Sequence, residues 1–228
     1  MKTIKTSRFC NINMKNKKKI AAYDIETIAR PDLSDETINS FCKTGNMTNE
    51  KKIAAKQAEA RTKLGMNPLT AISCCGGWYS SDADQGYIML KDTSPEAEKS
   101  FLHKYWSQLA EYDILIGFNC FSFDSRIILL RSTVHNVEIP FKLDRKKYSS
   151  SGNHIDLRGV LTDWGTFEAG KLDFFLEMFG LGRKTEGMDG SMVQGYWDEG
   201  KHDEIGGYCQ RDCKQTFELF ERIKPYFL

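Results

Sequence analysis

Seven cysteines in the chain form no Cys-x-x-Cys pair, and their number is odd. Zinc-ribbon and dithiol redox chemistry are therefore poorly supported, and reduced thiols in a cytoplasmic compartment are expected. No apolar run approaches the length that spans a bilayer, so no membrane partner is expected. The N-terminus shows no charged segment, apolar segment and cleavage site in succession, so no secretory leader is expected. The formal net charge is only +1, so any affinity for an acidic polymer must come from local patches. Internal repeats and low-complexity segments are also missing. Length and an ordinary apolar fraction (228 residues, 40% hydrophobic) fit one domain with a sizeable insertion.

The chain divides into a basic arm over residues 1–19 and a single domain over 20–228. Lys2, Lys5, Arg8, Lys15, Lys17, Lys18 and Lys19 fall in the arm without an acid. It is read as a solvated, flexible segment, with contact to a phosphate backbone as the alternative. Ile20–Glu26 reads as a buried strand. Residues 27–69 then delay the next strand and are read as an insertion, with helix over Asn49–Leu64. Strands are expected over Thr70–Tyr79, Gly86–Leu90, Asp113–Phe118 and His154–Leu157. Helices are expected after Thr93, whose spacing to Glu96 suggests a capping box, and over Phe123–Val134, Lys171–Phe179, Ser191–Glu199 and Asp203–Ile223. The pattern predicts an α/β protein with a mixed sheet flanked by helices.

Against that frame stand four acids and a tyrosine. Asp24 and Glu26 alternate at the end of the first strand and so project from one face. Asp124 follows a strand at the mouth of a helix, where loops at sheet edges carry chemistry. Tyr208 and Asp212 are neighbours at i and i+4 on the last helix. Most acids are solvated or cap helices, which accounts for Asp32, Asp35, Asp82 and Asp84. It accounts poorly for Asp24, set between Tyr23 and Ile25 in an apolar strand. Clustered buried carboxylates raise one another's pKa, and bound cations reverse that penalty. Carboxylates without histidine or thiolate ligands suit Mg²⁺ or Mn²⁺, with two ions about 3.5–4 Å apart as in two-metal phosphoryl-transfer sites.

Asp24-Ile25-Glu26-Thr27, Gly117-Phe118-Asn119 through Phe123-Asp124, and Tyr208-Cys209 through Asp212 resemble the three motifs of the DEDDy branch of DnaQ-like 3′→5′ exonucleases. The likeness is to the proofreading domain of family B DNA polymerases and its stand-alone relatives. Lys171-Leu172-Asp173 and Gly187-Met188-Asp189-Gly190-Ser191 are similar to further segments of that group. The branch with a histidine five residues before the last acid is disfavoured, because that position is Gly207. No palm or thumb is expected after the third motif, which leaves action alone or beside a separate polymerase or repair protein open.

The resemblance implies an RNase H-like fold and a metal-dependent exonuclease. It would act on the 3′ end of single-stranded or frayed DNA and release nucleoside 5′-monophosphates. Asp24, Glu26, Asp124 and Asp212 would hold the two cations, and Tyr208 would orient the attacking water. Thr27, Asn119, Phe123 and Lys171 would contact substrate. Phe123 is read equally as a core residue, and Lys171 as a solvated lysine. Asp156 is read mainly as a structural hydrogen-bond acceptor. Lys142, Arg145, Lys146 and Lys147 with Tyr148 form a basic cluster, read as a solvated loop or as a single-strand contact. The same chemistry on RNA, or a silent nucleic-acid-binding module, are the competing readings.

Overall fold

The computed structural model describes residues 18–40, 42, 47–146, 152–168, 170–182 and 187–228. Nearly all of the basic arm lies outside these, as do Lys147 and Tyr148 of the basic cluster. Five strands form one sheet in the order β3-β2-β1-β4-β5. They are β1 Ile20–Ala29, β2 Ala71–Ser80, β3 Gln85–Met89, β4 Ile114–Gly117 and β5 His154–Asp156. β1 to β3 form an antiparallel meander, while β4 lies parallel to β1 and β5 parallel to β4. The fold is α/β, with the mixed sheet between helical layers as the sequence pattern predicts.

The central strand β1 is buried on both sides. Ala21, Tyr23 and Ile25 face one core, shared with Tyr105 and Trp106 of α3 (Pro95–Leu109) and Ile127 and Ile128 of α4 (Asp124–His135). Ala22 faces the other core, with Phe217 and Phe220 of α8 (His202–Phe227) and Leu172 and Leu176 of α6 (Leu172–Met178). Each buried isoleucine, leucine or phenylalanine among these contributes roughly 1.5–3 kcal/mol. Alternation thus sends Asp24 and Glu26 toward α8.

Between α3 and α4, the Arg131 guanidinium grips Glu98 with two hydrogen bonds of 2.6 Å, and His135 reaches the same carboxylate at 2.7 Å. The Trp106 indole N–H donates to Ser132 Oγ at 2.8 Å. This buried pairing sets the position of α4, which opens on Asp124.

Several boundaries differ from expectation. β1 runs on to Ala29 past a bulge between Glu26 and Thr27, because Thr27, Ile28 and Ala29 continue the pairing with β2. The segment between β1 and β2 then holds α1 (Asp35–Ser40), α2 (Glu50–Thr62) and a 3₁₀ turn, Leu64–Met66. Asn49 caps α2 by accepting from the Lys52 N–H. The cap of α3 is Ser94 rather than Thr93, since Pro95 occupies the first helical position and Ser94 Oγ accepts from the Ala97 N–H. A short α5 (Leu157–Leu161) follows β5 directly, and α7 spans Val193–Asp198.

Candidate active site

Two glycines in β2 allow the close packing on which the site is built. Gly77 pairs with Asp24, and a Cβ on it would lie 2.9 Å from Cys209 Sγ of α8. The missing side chain lets α8 settle onto the sheet directly over Asp24. On the opposite face a Cβ at Gly76 would lie 2.8 Å from the Tyr105 ring. The Tyr105 hydroxyl is placed at 2.9 Å from the Asp24 carbonyl and 3.0 Å from the Gly77 carbonyl. The strand pair beneath Asp24 is thereby held from both sides.

The acids converge there. Asp124 Oδ1 accepts the Ile25 backbone N–H at 3.1 Å, which brings its charge to bear on the Asp24 carboxyl. Asp24, Glu26 and Cys209 each bring a ligand atom within 4.8 Å of the others. Tyr208 hydrogen-bonds Asp212 across one turn of α8, with Glu26 and Asp24 close enough to act on the phenol. Glu26, Asp124, Tyr208 and Asp212 are each no more than 9% exposed, so these charges interact through little water.

Burial, followed by the charge of Asp124, holds the Asp24 carboxyl well above the usual carboxylate range, with Cys209, Glu26 and Asp212 adding to the rise. Burial pushes Asp124 up to about 7 despite the Ile25 N–H it accepts. Burial and the charge of Asp212 push the Tyr208 phenol up. Such a cluster of like charges binds divalent cations favourably, because the ion supplies the missing counter-charge. The donor set fits this use: carboxylate oxygens dominate, as hard Mg²⁺ and Mn²⁺ prefer.

A cavity of about 420 Å³ opens over the cluster. Asp24 and Asp212 line it together with Asn119, Arg158 and Lys171. Asn119 takes a left-handed backbone (φ 63°), which asparagine tolerates better than most residues. Asp156 holds this turn by accepting the N–H groups of Asn119, Phe121 and Gly159 at 3.0–3.1 Å. Arg145 also donates to the Phe121 carbonyl. The Arg158 guanidinium donates to Asn119 Oδ1 at 3.2 Å.

Of the other expected substrate contacts, Lys171 stands at the cavity. Thr27 does not. Past the bulge its hydroxyl donates to the Gly65 carbonyl at 2.5 Å, and it lines a different cavity beside Gln194. Phe123 precedes α4 and packs against the core of α3 and α4. Asp189 accepts from the N–H and hydroxyl of Ser191, which shapes its own loop. His154 is buried under the sheet edge, its Nε2 2.8 Å from the Tyr23 hydroxyl.

The spacing of Cys209 and Cys213, one helical turn apart, permits metal binding but reads more readily as two small core residues. The spacing of Cys209 three before Asp212 is the signal that it shares the helix face of the acids. Arg158 carried no signal, because the five-residue α5 that presents it is too short to show a period.

A mixed five-stranded sheet with this order, carrying acids on its central strand and on two flanking helices, defines an RNase H-like α/β fold of the exonuclease type. Residues 62–226 match a family described as a predicted 3′–5′ exonuclease related to the exonuclease domain of PolB, and the chain belongs to that family. The matched span contains Asp124, Tyr208 and Asp212, and begins after the strand that carries Asp24 and Glu26.

Among solved structures the chain is similar to a family B DNA polymerase from the hyperthermophilic archaeon Pyrobaculum calidifontis. The TM-score is 0.60 and the identity 17% over 92% of this chain. At that identity the likeness is one of fold. The chain spans 25% of the polymerase's length. None of the curated proteins matches the chain. Among the described residues no helix is long and apolar enough to cross a membrane.

Proposed function

We propose that the chain is a divalent-cation-dependent 3′→5′ exonuclease that trims single-stranded or frayed DNA ends to nucleoside 5′-monophosphates. One observation carries this reading. Asp124 is tied to the strand of Asp24 and Glu26 by the Ile25 N–H, which gathers like-charged side chains into one largely buried group, an arrangement whose cost a cation removes.

Asp24, Glu26, Asp124 and Asp212 would hold two ions, Mg²⁺ or Mn²⁺. When bound, these would supply an activated water and neutralise charge on the scissile phosphate and the departing 3′ oxygen. The protein's own groups do the positioning. A phenol with a raised pKa is a poor base at neutral pH, so Tyr208 orients the water by hydrogen bonding rather than deprotonating it. Its bond to Asp212 fixes the direction in which that hydroxyl points. Lys171 offers positive charge to the phosphate from the cavity wall. Asn119, held by Asp156 and Arg158, presents its side chain to the terminal nucleotide.

The test is incubation of purified protein with 5′-labelled DNA and RNA oligonucleotides in Mg²⁺, Mn²⁺ or EDTA, beside Asp24→Ala. The expected result is a metal-dependent ladder that shortens DNA from its 3′ end and is lost in the variant. Binding without cleavage in every metal would overturn the reading. A ladder on RNA alone would reassign the substrate.

A further inference from the structure

A single peptide group joins Asp24 to Asp124. β1 pairs with β4 only from Ile20 to Ala22. Past that point the Ile25 N–H finds Asp124 Oδ1 instead, at 3.1 Å. The two ends of a trans peptide point in opposite directions, so the Asp24 carbonyl of the same unit faces away from Asp124. There the Tyr105 hydroxyl meets it at 2.9 Å.

The packing brings that hydroxyl in. Tyr105 is a core residue of α3, 1% exposed, and a Cβ at Gly76 would lie 2.8 Å from its ring. A phenyl ring would fill the same space. The hydroxyl adds a buried polar group, which costs free energy unless it is hydrogen-bonded. Its partners are the carbonyls of Asp24 and Gly77, at 2.9 and 3.0 Å, and it has one proton to share between them.

From this we infer that Tyr105 is a positioning residue for the candidate metal site, acting through the Asp24–Ile25 peptide. By donating to the carbonyl it fixes the peptide plane and polarises it. The amide at the other end then donates more strongly to Asp124. The same plane includes the Cα of Asp24, so one bond bears on where Asp24 projects and on where Asp124 is held. Groups placed in this way keep ligands in position without touching the ion. The inference rests on the exonuclease reading for the use of the two acids, while the relay itself does not depend on it.

Tyr105→Phe removes the hydroxyl and leaves the ring over Gly76. In EDTA, nuclear magnetic resonance should show the Ile25 amide proton shifted upfield in this variant, as expected of a weakened hydrogen bond. Mn²⁺ binding, followed by electron paramagnetic resonance of the free ion, should weaken about tenfold. Phe101→Leu is the packing control. Phe101 stacks on Tyr105, with ring centroids 5.7 Å apart, and has no proton to donate. This variant should keep the wild-type Mn²⁺ affinity and the wild-type Ile25 shift.

An Ile25 amide that stays in place would overturn the inference. So would a shift of the Trp78 amide in its stead, because the proton would then serve the Gly77 carbonyl. Equal losses of Mn²⁺ affinity in Phe101→Leu and Tyr105→Phe would overturn it too, by making packing the cause. The two readings fail separately. Hydrolysis by wild type with Mn²⁺ affinity unmoved in Tyr105→Phe removes the positioning role alone. The expected shift and affinity changes without hydrolysis in any metal remove the nuclease alone.

Discussion

Asp124 Oδ1 takes the backbone N–H of Ile25 at 3.1 Å, which ties the first turn of α4 to β1 between Asp24 and Glu26. One carboxylate thus serves both the sheet and the proposed metal site, and the two roles separate by substitution. Asp124→Asn keeps the oxygen acceptor and sheds a charge that burial disfavours. Its urea unfolding free energy in EDTA should stay within about 0.5 kcal/mol of wild type, or exceed it. Asp124→Ala strands the Ile25 N–H and should cost about 1–3 kcal/mol. Both variants should lose at least about 100-fold in hydrolysis rate, because neither offers the cation a charged oxygen.

Tyr208 and Asp24 should differ in degree. Asp24 stands at the centre of the acids, so Asp24→Ala should abolish hydrolysis. Tyr208→Phe removes one orienting hydroxyl and should leave a measurable remnant, about 10–100-fold below wild type. Single-turnover rates on a 5′-labelled strand make the comparison. Equal and complete loss in both would contradict the division of labour.

Cys209 tests whether oxygen alone holds the cations. Its thiol lies 3.5 Å from the Asp24 carbonyl and 3.9 Å from Asp24 Oδ2, distances of a weak donor to oxygen. Mg²⁺ favours oxygen over sulfur. Cys209→Ala should therefore keep Mg²⁺-supported hydrolysis within about tenfold of wild type, since losing a metal-holding group typically costs more. A loss as large as that of Asp24→Ala would make the thiol a ligand.

Asp124 was readable from its place between a strand and a helix, and the other three acids because each obeys a local period. Asp24 and Glu26 alternate on a strand, and Tyr208 and Asp212 lie one turn apart on a helix whose buried stripe runs through Ile205, Cys209 and Thr216. Thr27 was named through the resemblance alone, and no local period foretold the bulge after Glu26 or the bond of the Thr27 hydroxyl to the Gly65 carbonyl. The cap of α3 moved by one residue because Pro95 outweighs the Thr93–Glu96 spacing. Arg158 comes from the short α5 capped by Asp156 and Trp164 from a turn of left-handed backbone, and neither is long enough to show a period. Phe123 is partly buried and packs against the core, a position that no periodic pattern marked.

His154 gives a pH signature apart from the acids. Burial lowers its pKa to about 3, aided by the Arg145 charge and opposed by Asp144, so the ring is neutral in the fold. In the unfolded chain it protonates near 6.5. The stability that this contributes is complete above about pH 6.5 and is lost as pH falls toward 3. At pH 7, His154→Gln should cost about 1–2 kcal/mol through the weakened contact with Tyr23. By pH 4.5 the gap to wild type should close or reverse, because only wild type carries the proton-linked penalty. Urea midpoints at the two pH values provide the check, and a gap that widens on acidification would refute the buried neutral ring.

The most direct test of the account is Mn²⁺ binding, followed by electron paramagnetic resonance of the free ion in the presence of a nucleoside 5′-monophosphate. The account predicts two Mn²⁺ bound per wild-type chain and loss of both high-affinity sites in Asp24→Ala. Identical binding curves for wild type and Asp24→Ala would contradict it.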